Sequence, residues 1–191
     1  MSTTATLRTV HAVPLPEGTV IHATLPGAQY ADAYQTLDPH PDASALQAWL
    51  DVVARTPHWT RALMALRNRL VRLVGLKDVG QLHDVHNQRS DPHADPHNAA
   101  SYRQGDRVGI FILRHLGERE VVMGQDDKHL DVQVSLCKRL VAGQPMLVLS
   151  TVVHIHNTLG HAYMAVITPF HCAIARNMLQ RVAAVPTRTG H

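Results

Sequence analysis

The side chains that could do chemistry in this chain are its histidines, 15 of them, and the acids beside them. They fall into two groups. One is Glu120, His129, Asp131, His154 and His156; the other is His83, His86, His93 and His97, interleaved with Asp84, Asp91 and Asp95. Neutral imidazoles and carboxylates are good zinc ligands, and a zinc ion held by them activates water for hydrolysis. Without metal, neighbouring carboxylates push one pKa upward, so that an acid and a base can share a proton-transfer or dehydration reaction near neutral pH. Glu120, His129, Asp131 and His154 are therefore the catalytic candidates. His129, His154 and His156 are the candidate metal ligands, and zinc is the cofactor they would suit. In the second group the spacings could chelate a metal, but Asp91-Pro92 and Asp95-Pro96 favour open turns, which points to a polar loop or lid.

Other catalytic patterns are missing. Gly105 and Gly109 flank a strand start and lack a phosphate-loop fingerprint, and no serine sits in a nucleophile elbow. His171 and Cys172 are neighbours, but adjacent side chains on a helix are splayed by about 100°, so they do not read as a nucleophile and its base. Cys172 reads as a small core residue. Two cysteines, Cys137 and Cys172, make no disulfide framework and suit a reducing cytoplasm.

The elements that must position these groups can be read from the residue pattern. Residues 1–17 read as an irregular arm, residues 18–185 as a single domain and 186–191 as a tail. A short strand is expected at Gly18–Leu25 and a helical turn at Tyr30–Leu37. Ser44 is placed to cap a helix over Ala45–Arg55 with Leu46, Trp49, Leu50 and Val53 on one face. Thr56-Pro57 opens a second helix through Val74, striped by Trp59, Leu63, Leu66, Leu70 and Leu73. A long polar loop spans residues 81–105. Four strands follow at Arg107–His115, Glu118–Met123, Lys128–Leu140 and Pro145–Asn157, with turns at Leu116-Gly117, Gly124–Asp127 and Ala142-Gly143. The last segment, Leu159–Val185, is helical with Pro169 inside it.

Alternation in the last two strands sets their faces. Leu130, Val132, Val134 and Leu136 oppose His129, Asp131, Gln133, Ser135 and Cys137. A two-residue turn at Ala142-Gly143 places His129 opposite His156 and Asp131 opposite His154; the Gly124–Asp127 turn places Glu120 opposite Asp131. Cross-strand partners lie about 5 Å apart at Cβ, close enough to share a proton or a cation. The plain alternative is a solvated polar face, common in antiparallel sheets. The same face is expected to carry Phe111, Leu113, Val122, Val148 and Val152, the mixture of apolar wall and few polar groups that a ligand pocket needs.

The totals narrow the classes. A chain of 191 residues with 45% hydrophobic content fits one domain with a real core, and no stretch approaches a membrane span. The net charge of +3 is small, and Arg61, Arg67, Arg69 and Arg72 lie at mixed helical angles without interleaved aromatics, so a nucleic-acid partner is not implied. With aromatics at 4%, a site built to stack flat rings is not expected either.

Several segments together resemble a known family. They are Pro26-Gly27-Ala28-Gln29-Tyr30-Ala31-Asp32-Ala33-Tyr34, Leu66-Arg67-Asn68-Arg69-Leu70-Val71 and Gly75-Leu76-Lys77. Gly105-Asp106-Arg107-Val108-Gly109-Ile110-Phe111 and Gly124-Gln125-Asp126-Asp127-Lys128-His129-Leu130-Asp131 follow, then Ser150-Thr151-Val152-Val153-His154 and Tyr163 through Pro169-Phe170-His171. The succession, from about Leu25 to Val182, resembles the bacterial family of unknown function DUF2867. Family members fused behind nicotinamide-nucleotide-binding domains hint at an accessory or substrate-binding role. The family in turn resembles helix-grip proteins of the START, plant-allergen and polyketide-cyclase kind. The resemblance implies an α+β fold: a curved antiparallel sheet wrapped around a long C-terminal helix, with two short helices near the N-terminus and a further strand around Lys77–His86. It also implies a cavity between sheet and helix, lined by Phe111, Tyr163, Ile167, Phe170, His171 and Ile174, with Met178 continuing the stripe. The first functional expectation is thus binding of an apolar or amphipathic small molecule. The second is an enzyme using the His/Asp/Glu set, with or without zinc; the third is a homo-oligomerising or interaction module.

Overall fold

The computed structural model describes residues 9–54, 95 and 97–184. In chain order they form β1 (His11–Ala12), a 3-10 turn at His22–Thr24, β2 (Tyr30–Leu37), α1 (Ala45–Ala54) and a 3-10 turn at Ala99–Ser101. Then come β3 (Arg107–Val108), β4 (Phe111–Leu116), β5 (Glu120–Asp126), β6 (Leu130–Val141), β7 (Gln144–Ile155) and α2 (Thr158–Ala183). Among the described residues the strands make one open antiparallel sheet in the order β1-β2-β7-β6-β5-β4-β3. The fold is α+β, with α1 and α2 on the same face of the sheet. The expected second helix at Pro57–Val74, the strand around Lys77–His86 and most of the 81–105 loop lie outside the described residues. No helix among those described is long and apolar enough to cross a membrane.

The centre of the sheet is the β6–β7 hairpin. Its turn residues both adopt positive φ, 50° at Ala142 and 76° at Gly143, the conformation of a two-residue turn whose twist suits antiparallel strands. The resulting register pairs Asp131 with His154 and Leu136 with Leu149, as the alternation expects. It turns Val134, Leu136, Leu147 and Leu149 toward the helices. There they join Leu46, Trp49, Val52, Ala175, Leu179 and Val182 in the main core.

Four expected elements differ. Gly18–Leu25 is not a strand: it turns through His22–Thr24 and lies across the other face of the sheet, where Ile21 packs on Val122 and Val152. Tyr30–Leu37 is not a helical turn but a full strand paired along its length with β7, from Tyr30 opposite Val153 to Leu37 opposite Met146. The strand expected at Arg107–His115 is broken by Gly109, at φ 61°, into the β3–β4 hairpin. β5 also runs on through the expected turn to Asp126, which pairs with Asp131. Gly124 fits within that strand because Arg114, offset by a bulge between Leu113 and His115, lies across it to reach Asp126 at 2.5 Å.

The helices are set by local chemistry. Ser44 caps α1, its hydroxyl accepting from the Gln47 amide at 3.1 Å. Val52 rather than Val53 completes the buried face of α1. Asn157 caps α2 by accepting from the Gly160 amide at 3.1 Å. Gly160 is required there, since a Cβ would run into the His129 carbonyl and Ile155.

A buried lysine ties the β2–α1 loop to the sheet. Lys138 Nζ lies 3.2 Å from the Asp38 carboxylate and donates to the carbonyls of His40 (2.8 Å), Pro41 (3.1 Å) and Ala43. Removing one member of such a pair strands the other charge out of water. We expect Lys138→Met to lower the free energy of unfolding by about 3–5 kcal/mol in urea titration, with less additional loss when Asp38→Leu is combined with it. A loss below about 1 kcal/mol would show the cage to be solvated.

Candidate functional site

The sequence candidates do not form one constellation. Glu120 pairs with Cys137, not Asp131; the extension of β5 to Asp126 moves it to the far end of the strand. It is buried and accepts from the amides of Val20 (2.7 Å) and Ile21 (3.1 Å) and from the Ser135 hydroxyl (2.9 Å), so it fastens the N-terminal segment to the sheet. Asp131 and His154 are cross-strand partners, but Asp131 bonds His156 at 3.1 Å while His154 Nε2 faces the Pro26 carbonyl at 3.2 Å. His129 Nδ1 faces Asn157 Oδ1 at 3.1 Å. Among the described residues no three His, Cys, Asp or Glu side chains gather where they could hold a metal ion. The expected mixed face also separates: Phe111 and Leu113 lie on the helix side with Trp49, whereas Val122 and Val152 lie under the N-terminal segment.

A different cluster lies in the seam between α2 and the sheet. β2 alternates so that Tyr30, Asp32 and Tyr34 face the helix, and β7 brings Thr151 opposite Asp32. Asp32 Oδ2 accepts from the Tyr30 hydroxyl at 2.7 Å and lies 3.9 Å from Cys172 Sγ; Oδ1 is 3.3 Å from His171 Nε2. Thr151 Oγ1 is 3.2 Å from the same nitrogen. The Tyr30 and His171 rings meet edge to face at 5.9 Å between centroids. His171 and Cys172 diverge as neighbours on a helix must, yet both come down on one carboxylate and meet through Asp32.

The electrostatics follow from this geometry. Burial pushes the Asp32 carboxyl up, but the hydrogen bond and charge of His171, with hydrogen bonds from Tyr30 and Thr151, outweigh it and hold the group below its usual range. Burial first, then hydrogen bonding to Asp32 and Cys172, drives Tyr30 well above the ordinary tyrosine range. Tyr34 is pushed up to about 12, chiefly by burial and by Cys172, although Arg176 stands 5.1 Å over its ring and pulls the other way. The seam therefore holds an ionised carboxylate under two neutral phenols.

The expected lining residues are redistributed by the rotation of α2. Its inward stripe is Met164, Ala175, Leu179 and Val182, with His171 and Cys172 at the two edges of that stripe. Phe170, expected inside, is 43% exposed. Ile167 and Ile174 are half-buried, Tyr163 packs against Leu130, Val153 and Met164, and Met178 touches the main core. Because Cys172 reaches β2 and His171 reaches β7, the edge bearing Ile167 and Ile174 lies toward β6. Half-buried Val132 and Gln125 face the helix side there, with Phe111 beyond. Of the cluster, the sequence offers only His171 as a site residue and reads Cys172 as a small core residue. The usable signal was the alternation Tyr30, Asp32, Tyr34, which is a strand pattern whose inward face is polar.

An open antiparallel sheet crossed by one long C-terminal helix, with a carboxylate–imidazole pair in the seam, defines an α+β sheet-and-helix domain. The family model described as Protein of unknown function (DUF2867) matches residues 24–178, and the chain belongs to that family. The whole Asp32 cluster falls within the matched residues. No curated protein and no solved structure matches the chain.

A carboxylate held below its usual pKa stabilises the folded state fully above the ordinary value and loses that contribution as pH falls through the folded one. Asp32→Asn removes it. The stability gap between wild type and Asp32→Asn should be present in full at about pH 5 and narrow below about pH 4 in urea unfolding at stepped pH. A gap that widens on acidification contradicts the assignment.

Proposed function

We propose that this chain is a small-molecule-binding domain of helix-grip type, acting in the cytoplasm on an amphipathic ligand. The ligand lies along the α2 edge formed by Tyr163, Ile167, Phe170 and Ile174, against Phe111 and Val132, with its polar end at His171. The observation that carries this reading is the polar cluster itself. A seam closed for stability alone is served as well by apolar packing, since buried ion pairs seldom repay their desolvation. Here Asp32, Tyr30, Thr151 and Cys172 instead hold one imidazole in place beside half-buried apolar side chains. Apolar walls with few convergent polar groups are the composition of ligand sites. The two free cysteines suit a reducing compartment.

A second reading, a proton-transfer enzyme with His171 as the base, is favoured by the Asp32–His171 contact, which fixes the ring by one nitrogen. It moves the acid–base pair away from Glu120 and Asp131.

The neutral dye Nile red tests the first reading. We expect saturable fluorescence enhancement at one site per chain, weakened about tenfold or more by Ile174→Asp, which replaces apolar contact with charge and leaves the melting temperature nearly unchanged. No saturation, or no effect of Ile174→Asp, would sink the proposal.

A further inference from the structure

We infer that the outward face of α2 is a docking surface for a second copy of this chain, and that the two helices pair antiparallel across a two-fold axis level with Thr168. Helical spacing builds the face. Ala162, Val166, Pro169 and Ala173 follow one another at intervals of four, three and four residues, so they share one side of the helix. All four are exposed, Val166 by 52%, and Phe170 beside them by 43%. They are turned away from the inward stripe of Met164, Ala175, Leu179 and Val182. From Thr158 to Ala175 the helix also has no Asp, Glu, Lys or Arg. A helix packed on a domain surface ordinarily sets charged side chains opposite its buried stripe, and one that is apolar all round is covered on both sides. Contiguous exposed apolar side chains of this kind mark contact sites. The pairing is independent of the binding reading, because Tyr163, Ile167 and Ile174 are half-buried on the edge toward β6 and only Phe170 borders both surfaces.

Charge selects the occupant. A helix that lies on an anionic lipid surface carries Lys or Arg beside its apolar face, and a nucleic acid or a charged protein patch needs opposite charge to pair with. This stretch offers none of these. The occupant that fits is itself uncharged and apolar, and a second copy presents such a face by construction, in the self-complementary contact of a two-fold dimer. Charge also sets the direction. Arg176 and Arg181 both lie in the C-terminal part of α2, so parallel pairing would set Arg176 beside Arg176. Antiparallel pairing about Thr168 sets it across from Gly160 of the other copy, in a first turn without Lys or Arg. The same pairing brings Val166 of each copy against Phe170 of the other and Ala162 beside Ala173. Small side chains at the crossing let the two axes approach to about 8 Å. The stripe is short, about 16 Å at the helical rise. It offers each copy a handful of side chains where a standard interface has about 20–30 residues a side. The dimer is therefore weak and exchanging, with a Kd of about 10–100 µM.

Sedimentation velocity of the full chain from about 1 µM to about 500 µM reads the pairing directly. We expect the mass to climb from one chain toward two over that range. Val166→Glu, which sets a carboxylate against Phe170 of the other copy, should weaken association by about tenfold or more. Its melting temperature should match wild type, since position 166 is already exposed. The direction is read by mild oxidation of cysteine variants. Ala162→Cys mixed with Ala173→Cys should give the mixed disulfide, while Ala162→Cys alone should not cross-link, its two copies being about 18 Å apart along the axis. A chain that keeps the mass of one copy throughout, or a dimer that Val166→Glu leaves intact, overturns the docking surface. Co-sedimentation of that single chain with phosphatidylcholine vesicles would assign the face to lipid instead. Ready cross-linking of Ala162→Cys to itself overturns the antiparallel arrangement.

Discussion

The arrangement of this molecule depends on the register of the β6–β7 hairpin. Two turn residues with positive φ, Ala142 and Gly143, lock twelve-residue strands together. Side chains on a strand alternate with period two, so a slip of one residue would carry Leu136 or Leu149 off the helix face and bring Ser135 or Ser150 under it. Every other strand is added to this pair. β2 takes its faces from β7, which is how Asp32 comes to stand opposite Thr151, and β5 takes its faces from β6. The seam chemistry is thus a downstream result of one short turn.

Both faces of the sheet are covered, by different means. On one side lie the helices, anchored at the end of β6 by the Lys138 cage. On the other the N-terminal segment is held by the Glu120 carboxylate, which satisfies two of its backbone amides, and by Ile21 packed on Val122 and Val152. This second cover accounts for the apolar residues on the face that also bears Asp131 and His154. It also shows why Glu120 is buried: it supplies acceptors that a bare sheet face lacks for amides entering from outside.

Much of this was legible in the sequence because it is written locally. Ala142-Gly143 announces a hairpin, Ser44 and the residues after it announce a capped helix, and the clean alternation of β6 fixes its faces. What escaped depends on distant partners. Tyr30–Leu37 has a polar inward face, with Asp32 half-buried against His171 and Thr36 buried beside β7, so it lacks the apolar alternation that marks a strand. The Gly124–Asp127 run looks like a turn unless Arg114 is known to lie across Gly124. In α2, apolar residues occur all round the helix and the inward edges include His171 and Cys172, so the stripe through Tyr163, Phe170 and Ile174 looks inward when it lies at one side. The acid–base residues picked by sequence were real neighbours at Asp131 and His154, but the half-buried carboxylate–imidazole pair needed a tertiary contact to be seen.

That contact joins positions 139 residues apart, Asp32 near the beginning and His171 near the end. The β4 to β7 meander closes through short turns and can assemble early, whereas pairing β2 with β7 and seating α2 must close loops of great length, the slow steps in folding. The seam therefore depends on long-range closures and is not made by the meander alone. A molecule bound at His171, as proposed, would touch structure contributed by both β2 and α2 at once. On the binding reading, occupancy would act as a clasp, favouring by mass action the chains that have finished folding.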